Sequence, residues 1–181
     1  MSDGTFNITI HMVASLDGMI AKKDNSVSWF ETTDFYEKGS IGEDAVEILK
    51  TIDCYIMGAR TYEHALQLGW VYGNTPTIVL THHNLPVERP TVEFYSGDLD
   101  ILVNERLKPR YNNVWVVGGA ALAKDFLRAN LAHEIRMSVL PIILGEGKPF
   151  FDHVGQEQAL HLKDVTAYKT GMVELRYEIR T

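Results

Sequence analysis

The stretch "NNVWVVGGAALAKDFL", Asn112 to Leu127, decides how this chain is read. Four apolar residues, Val114 to Val117, run directly into Gly118-Gly119. Residues of high helix propensity follow, with Leu122, Phe126 and Leu127 at helical spacing. The pattern predicts a buried strand, a turn without side chains, and a helix that begins at once. Two readings of the glycines stand side by side. The turn needs a positive φ or close strand-helix packing, which only Gly tolerates. Alternatively, an anionic group sits against the backbone N–H groups of the helix N-terminus.

Outward from this unit, strand-like and helix-like stretches alternate. "FNITIHMVA", Phe6 to Ala14, is apolar at nearly every residue, as a central strand should be. A loop follows, and then a helical region is expected from about Asp34 to Lys50; Ser40 and Glu43 have capping-box spacing, which offers Ser40 as a later start of the regular helix. "CYIMG" reads as a second buried strand and "ARTYEHALQLG" as a helix closed by a Gly cap. "TPTIVLT" and "VEFYSG" are two more strands, before a helix near Leu99 to Leu107 that Pro109 ends. The last fifty residues lose the helices: "HEIRMSVLPIIL", "ALHLKDVTAY" and "MVELRYEIR" look like strands. Alternation implies parallel pairing, and the helix-poor end implies antiparallel strands at one edge. The expected architecture is three-layer α/β, a mixed and mostly parallel sheet with helices on both faces.

A length of 181 residues suits a single domain spanning 1–181. A net charge of −7 argues against a nucleic-acid surface, without excluding small anionic ligands. Cys54, the single cysteine, lies in an apolar run and reads as a buried small hydrophobe in a reducing cytoplasm. No apolar run approaches the ~20 residues of a membrane span. The polar, acidic N-terminus does not read as a signal peptide. The expectation is a cytoplasmic protein with no nucleic-acid or membrane partner.

In open α/β sheets, ligands bind beyond the carboxyl ends of the parallel strands. Four such ends carry suggestive chemistry: the loop Ser15 to Trp29, "GARTYE" with Gly58, Arg60 and Thr61, "THH" from Thr81, and the Gly118-Gly119 turn. A phosphate at a helix N-terminus wants backbone N–H donors, a hydroxyl and a guanidinium, and "GARTYE" offers all three. Thr61 as an N-cap and Arg60 as a solvated charge is the plainer alternative. Asp17-Gly18 reads as a turn with an Asx hydrogen bond. His82 and His83 are adjacent and would face opposite ways on a strand, and no HExxH pattern occurs, so no metal site is expected. G-x-G-x-x-G is absent as well, so any dinucleotide is held by another scheme.

The order of "ASLDGMIA", "YIMGARTYE", "TIVLTHHNLP", "VWVVGGAALAKDFL" and "EIRMSVLPIILGEGKPFF" resembles the dihydrofolate reductase superfamily. Within it, the chain is similar to the single-domain relatives of the reductase domain that ends the bifunctional riboflavin-biosynthesis deaminase-reductase. The resemblance spans Ile8 to about Phe151, with "GMVELRYEIR" as the closing strand. It implies NADPH along the carboxyl edge of the sheet. Ala14 and Ile20 would flank the nicotinamide; Gly58, Arg60 and Thr61 would hold phosphates, and Thr81 with His82 the 2′-phosphate. Val117, Gly118, Gly119, Ala120, Ala121 and Leu122 would cradle the pyrophosphate.

On the substrate side, the resemblance implies contacts from Trp29 and Phe30, and a carboxylate five or six residues after the Trp, which here is Asp34. Asp34 would be the catalytic group, buried and delivering a proton. The alternative makes it a helix N-cap with Glu37 as its capping-box partner. Ser138 stands where those reductases place a hydroxyl that bonds the carboxylate. The implied activity is hydride transfer to a C=N or C=O bond of a small pterin- or pyrimidine-like heterocycle, in a homodimer. An NADP(H)-binding homodimer with a sensor or structural role is the other reading.

Three departures bear on the substrate. Ala123 replaces the Tyr that dihydrofolate reductases place four residues after the second Gly. No Arg occurs between Ala21 and Ala59 to grip a ribose phosphate. The zinc deaminase signature is missing. The phosphoribosyl substrate of the riboflavin enzyme is therefore not expected.

Overall fold

A computed structural model describes residues 5–32, 34–39 and 47–180. Its strands are β1 (Asn7–Ser15), β2 (Met19–Ala21), β3 (Cys54–Gly58), β4 (Thr77–Leu80) and β5 (Val92–Tyr95), then β6 (Asn113–Val116), β7 (Glu134–Leu140), β8 (Lys148–Pro149), β9 (Leu160–Ala167) and β10 (Val173–Ile179). Its helices are α1 (Ala59–Gln67), α2 (Leu99–Ile101) and α3 (Ala120–Arg128). α2 continues through Leu102–Leu107 in a wider turn, in which the Lys108 N–H reaches back five residues to Val103.

Eight strands form one sheet in the order β5-β4-β3-β6-β1-β7-β10-β9. The strands from β5 to β7 run parallel, β10 lies antiparallel to β7, and β9 antiparallel to β10. β7 thus departs from the expectation that the whole helix-poor end is antiparallel. Helix α3 precedes β7 and supplies the crossover that parallel pairing with β1 requires. β2 and β8 form a small separate ribbon.

Central strands are apolar on both sides because both faces are covered. On one face Ile8, Ile10, Met12, Ile56 and Val116 pack under Leu102, Leu107, Leu122 and Phe126 of α2 and α3. On the other, Tyr55, Met57 and Trp115 pack under Tyr62 and Ala65 of α1. Cys54 is fully buried, and burial pushes its thiol up to about 12, so it behaves as the expected small hydrophobe.

α1 ends in a Schellman motif: the Trp70 N–H bonds Ala65 O and the Gly69 N–H bonds Leu66 O, with Gly69 at φ +96°. Of the two starts expected for the helix ending near Lys50, the one at Asp34 is corrected. Residues 34–36 have no regular secondary structure and 37–39 turn, while 47–49 are helical. Ser40 and Glu43 lie outside the described residues. The physical reason is long-range pairing. The Asp34 N–H donates to Thr170 O at 3.0 Å and the Tyr36 N–H to Lys169 O at 2.8 Å, which lays the segment along the β9–β10 turn. Among the described residues, no helix is long and apolar enough to cross a membrane.

Candidate active site

β3 and β6 stay laced together beyond their carboxyl ends. The Val117 N–H donates to Ile56 O and the Gly58 N–H to Gly118 O, both at 2.9 Å. The two loops therefore bring the N-terminal ends of α1 and α3 together at the sheet edge, although the helices pack on opposite faces. The N-cap residues are Gly58 and Gly119, and neither helix has a side-chain cap. Both first turns thus present backbone N–H groups without the usual internal acceptor. Thr61 stands between them, and Arg60 is exposed with no ion-pair partner among the described residues.

The two glycines separate the two readings of the turn. Gly118 has φ +130°, and a Cβ there would lie 3.2 Å from Thr61 Oγ1 and 3.7 Å from Met12 Sδ. The fold itself needs glycine at that position. Gly119 has φ −87°, and its nearest neighbour to a Cβ is Thr61 Oγ1 at 4.0 Å. Nothing within the chain forbids a side chain there. The missing acceptors and the bare surface at Gly119 together fit a pyrophosphate held by backbone donors.

The other cofactor candidates differ in what they offer. Thr81 Oγ1 accepts from the His83 N–H at 3.0 Å, which leaves its own proton to donate. His82 is exposed, with Nδ1 2.7 Å from Ser96 Oγ, so Nε2 is its outward atom. Ala14 and Leu122 are buried in the core cluster, so their side chains face away from any ligand and only their backbone can line one. Ala120 and Ala121 keep the first turn of α3 low, and Ile20 packs partly buried against the core.

Asp17 does more than its expected turn. Its carboxylate accepts from Ser15 Oγ at 2.6 Å, from the Leu144 N–H at 3.0 Å and from the Gly145 N–H at 2.8 Å. It staples the loop after β1 to the segment after β7. The Ser15 hydroxyl first, and then the backbone donors, hold the Asp17 carboxyl below its ordinary 3.8. A carboxyl lowered in the folded state adds stability at neutral pH, and that stability is lost as pH falls through the folded value. The melting temperature of the native protein should therefore exceed that of Asp17→Asn above about pH 5, and the gap should close on acidification below about pH 4. A gap independent of pH would overturn the staple.

On the substrate side, Trp29 lies in a short helical turn, Ser28–Glu31, and is only 4% exposed. Phe30 meets it edge-on at 4.7 Å and is half exposed. The Trp29 indole N–H is buried without a partner. Asp34 is corrected on both expectations. It is exposed, not buried, and among the described residues its Oδ1 accepts from the next N–H, that of Phe35, at 2.8 Å, in a stretch with no helix for it to cap with Glu37. The pairing to Thr170 carries it outward.

Ser138 does bond a carboxylate, but that of Glu174, at 3.3 Å. Glu174 also accepts from Arg136 Nη2, and His11 Nε2 lies 3.2 Å from Ser138 Oγ. Burial pushes His11 down to about 4; nearby Glu174 raises it and Arg136 lowers it, both more weakly. Sequence reasoning missed His11, Arg136 and Glu174. The signal was there: alternation in "EIRMSVL" and "VELRYEI" puts polar side chains on one face of strands that lie inside the sheet.

The RibD C-terminal domain family matches residues 7–173. The chain belongs to that family. It is 31% identical over 176 residues to the uncharacterized protein YwjB of Bacillus subtilis (strain 168), covering 93% of this chain and 95% of YwjB. It is 24% identical over 189 residues to the uncharacterized protein YyaP of the same strain, covering 94% and 93%. Among solved structures, a protein of Shewanella sp. PV-4 provisionally named for riboflavin biosynthesis superposes with TM-score 0.80 at 22% identity, covering 97% of this chain and all of that one. A diaminohydroxyphosphoribosylaminopyrimidine deaminase/5-amino-6-(5-phosphoribosylamino)uracil reductase of Thermotoga maritima gives TM-score 0.71 at 17% identity, over 97% of this chain and 57% of that chain. These likenesses establish the dihydrofolate reductase-like fold.

Membership in the RibD C-terminal family covers every element that meets at the carboxyl edge, from β1 to the first residue of β10. It stops at Val173, one residue short of Glu174. The Gly118-Gly119 turn and Ser138 therefore lie within the matched stretch, and the carboxylate that Ser138 bonds lies just beyond it.

Proposed function

We propose that this chain is an NADPH-dependent reductase acting on a C=N or C=O bond of a small heterocycle. The observation that carries the reading is the pair of uncapped helix N-termini flanking Gly119, where a Cβ would meet open space. Family membership, with a T. maritima uracil reductase among the structural neighbours, supports the same chemistry. When bound, NADPH supplies the hydride. The N–H groups of α1 and α3 would hold the pyrophosphate, with Arg60 and Thr61 balancing its charge. Thr81 and His82 would bind the 2′-phosphate. Trp29 and Phe30 would form an apolar wall that orients a flat substrate and excludes water.

The test is a fluorescence titration with NADPH and NADH at low salt. Two charge-assisted hydrogen bonds to the 2′-phosphate, each about 1.5–3 kcal/mol, imply at least about tenfold tighter NADPH binding. Replacing Thr81 and His82 with Ala should bring the two affinities together. Equal dissociation constants in the native protein would overturn the NADPH assignment.

A further inference from the structure

The carboxyl ends of β4 and β5 stay tied to each other beyond their last paired residues, Leu80 and Tyr95. The Thr81 N–H donates to Tyr95 O at 2.9 Å, and the next residue on each segment is His82 and Ser96. Their side chains meet: His82 Nδ1 lies 2.7 Å from Ser96 Oγ. Both segments are held from within. Thr81 Oγ1 accepts from the His83 N–H at 3.0 Å, and Tyr95 Oη donates to Asp98 O at 2.9 Å. Ser96 therefore sits in a bound turn, while the His82 ring is exposed and open to a ligand.

What a partner does to a histidine depends on the partner's chemistry. A carboxylate at Nδ1 can only accept, so it would hold the proton there and leave Nε2 bare in a neutral ring. A hydroxyl can donate or accept by rotating. Facing a neutral ring, Ser96 donates to Nδ1, which puts the one ring proton on Nε2. Facing a cationic ring, it accepts from Nδ1–H, and Nε2 again carries a proton. An anion opposite Nε2 thus meets a donor in either case. The charged side chains of the adjoining segments have other partners. Glu93 of β5 pairs with Arg106 and Arg110, and the Asp98 carboxylate accepts from the Ile101 N–H at 3.1 Å. The ring of His83 is a second exposed imidazole beside His82.

We propose that Ser96 is a positioning residue for cofactor selectivity: its hydroxyl turns His82 so that Nε2–H faces the adenosine 2′-phosphate whether the ring is neutral or charged. NADH lacks that phosphate and gains nothing from Ser96. The inference rests on the NADPH reading and adds to it the residue that sets the orientation and tautomer of His82. Ser96 stands 14 residues from His82, on the neighbouring strand, so the pair exists only in the folded sheet.

Fluorescence titrations with NADPH and NADH at about pH 6 and about pH 8.5, the second well above the ordinary imidazole range, test the role. The native protein should prefer NADPH at both. Ser96→Ala should lose about three- to tenfold of that preference at the higher pH, the worth of one hydrogen bond, and keep its NADH affinity. Ser96→Thr retains the hydroxyl and should retain the preference. In a His82→Ala background, Ser96→Ala should change nothing further. Full preference in Ser96→Ala, the same loss with and without His82, or a native preference that vanishes at the higher pH would overturn the positioning role. Equal native affinities for the two cofactors at both pH values would instead overturn the NADPH reading. Nuclear magnetic resonance of the cofactor-free protein tells the two failures apart. The His82 ring-nitrogen shifts should move in Ser96→Ala and hold in Ser96→Thr; unmoved shifts in Ser96→Ala would overturn the contact itself.

Discussion

Gly119→Val should weaken NADPH binding at least about 100-fold while the protein still folds, whereas Gly118→Val should lose the fold's stability first. The contrast follows from the backbone. At Gly118 a side chain meets φ +130° and Thr61 Oγ1 at 3.2 Å, so the cost falls on the folded chain itself, about 1–3 kcal/mol for the backbone alone. At Gly119 the backbone lies in an ordinary region, φ −87°, and no atom of the chain comes closer than 4.0 Å to a Cβ. Valine there leaves the apo core untouched and stands in front of the first N–H groups of α3. Hydrogen bonds to a charged phosphate contribute about 1.5–3 kcal/mol each, so losing two removes roughly 3–6 kcal/mol. That is a factor of 100 or more in the dissociation constant. Melting temperature and fluorescence titration on both variants check the pair of effects. Undiminished NADPH binding by folded Gly119→Val would remove the pyrophosphate from this turn.

What the sequence made legible is what adjacent residues determine. Val114 to Leu127 folds as strand, glycine turn and helix because β-branched residues, a bare turn and an amphipathic run each act within a few positions. The same holds for Cys54 to Gln67. The carboxyl edge of the sheet was readable for that reason: each of its parts is a local strand-to-helix junction. Asp34 was not readable, because its place is set by backbone bonds to Lys169 and Thr170, far along the chain. Asp17 looked like a local turn, and its partners are Leu144 and Gly145. The resemblance put the carboxylate of Asp34 beside Ser138, and the carboxylate that Ser138 bonds is that of Glu174. It comes from β10, through a register that no local pattern specifies. Local rules thus reached the strand-to-helix junctions at the sheet edge, and sheet pairing alone assembled the buried polar cluster of His11, Arg136, Ser138 and Glu174.

The Arg136–Glu174 pair should show strong coupling in a double-mutant cycle. Both side chains are about one-tenth exposed, so each charge depends on the other. Arg136→Met strands a buried carboxylate with only the Ser138 hydroxyl, and Glu174→Gln strands a buried guanidinium. Each single variant should lose about 3–5 kcal/mol in urea unfolding, the usual cost of orphaning one member of a buried ion pair. The double variant, Arg136→Met with Glu174→Gln, leaves no net charge inside and should lose much less than the sum. Additivity within about 0.5 kcal/mol would show that water reaches the pair and that the burial is not felt. The cycle also separates stability from function. A buried ion pair replaced by neutral groups of similar volume often costs little or nothing, so stability alone does not account for its presence on an inner sheet face.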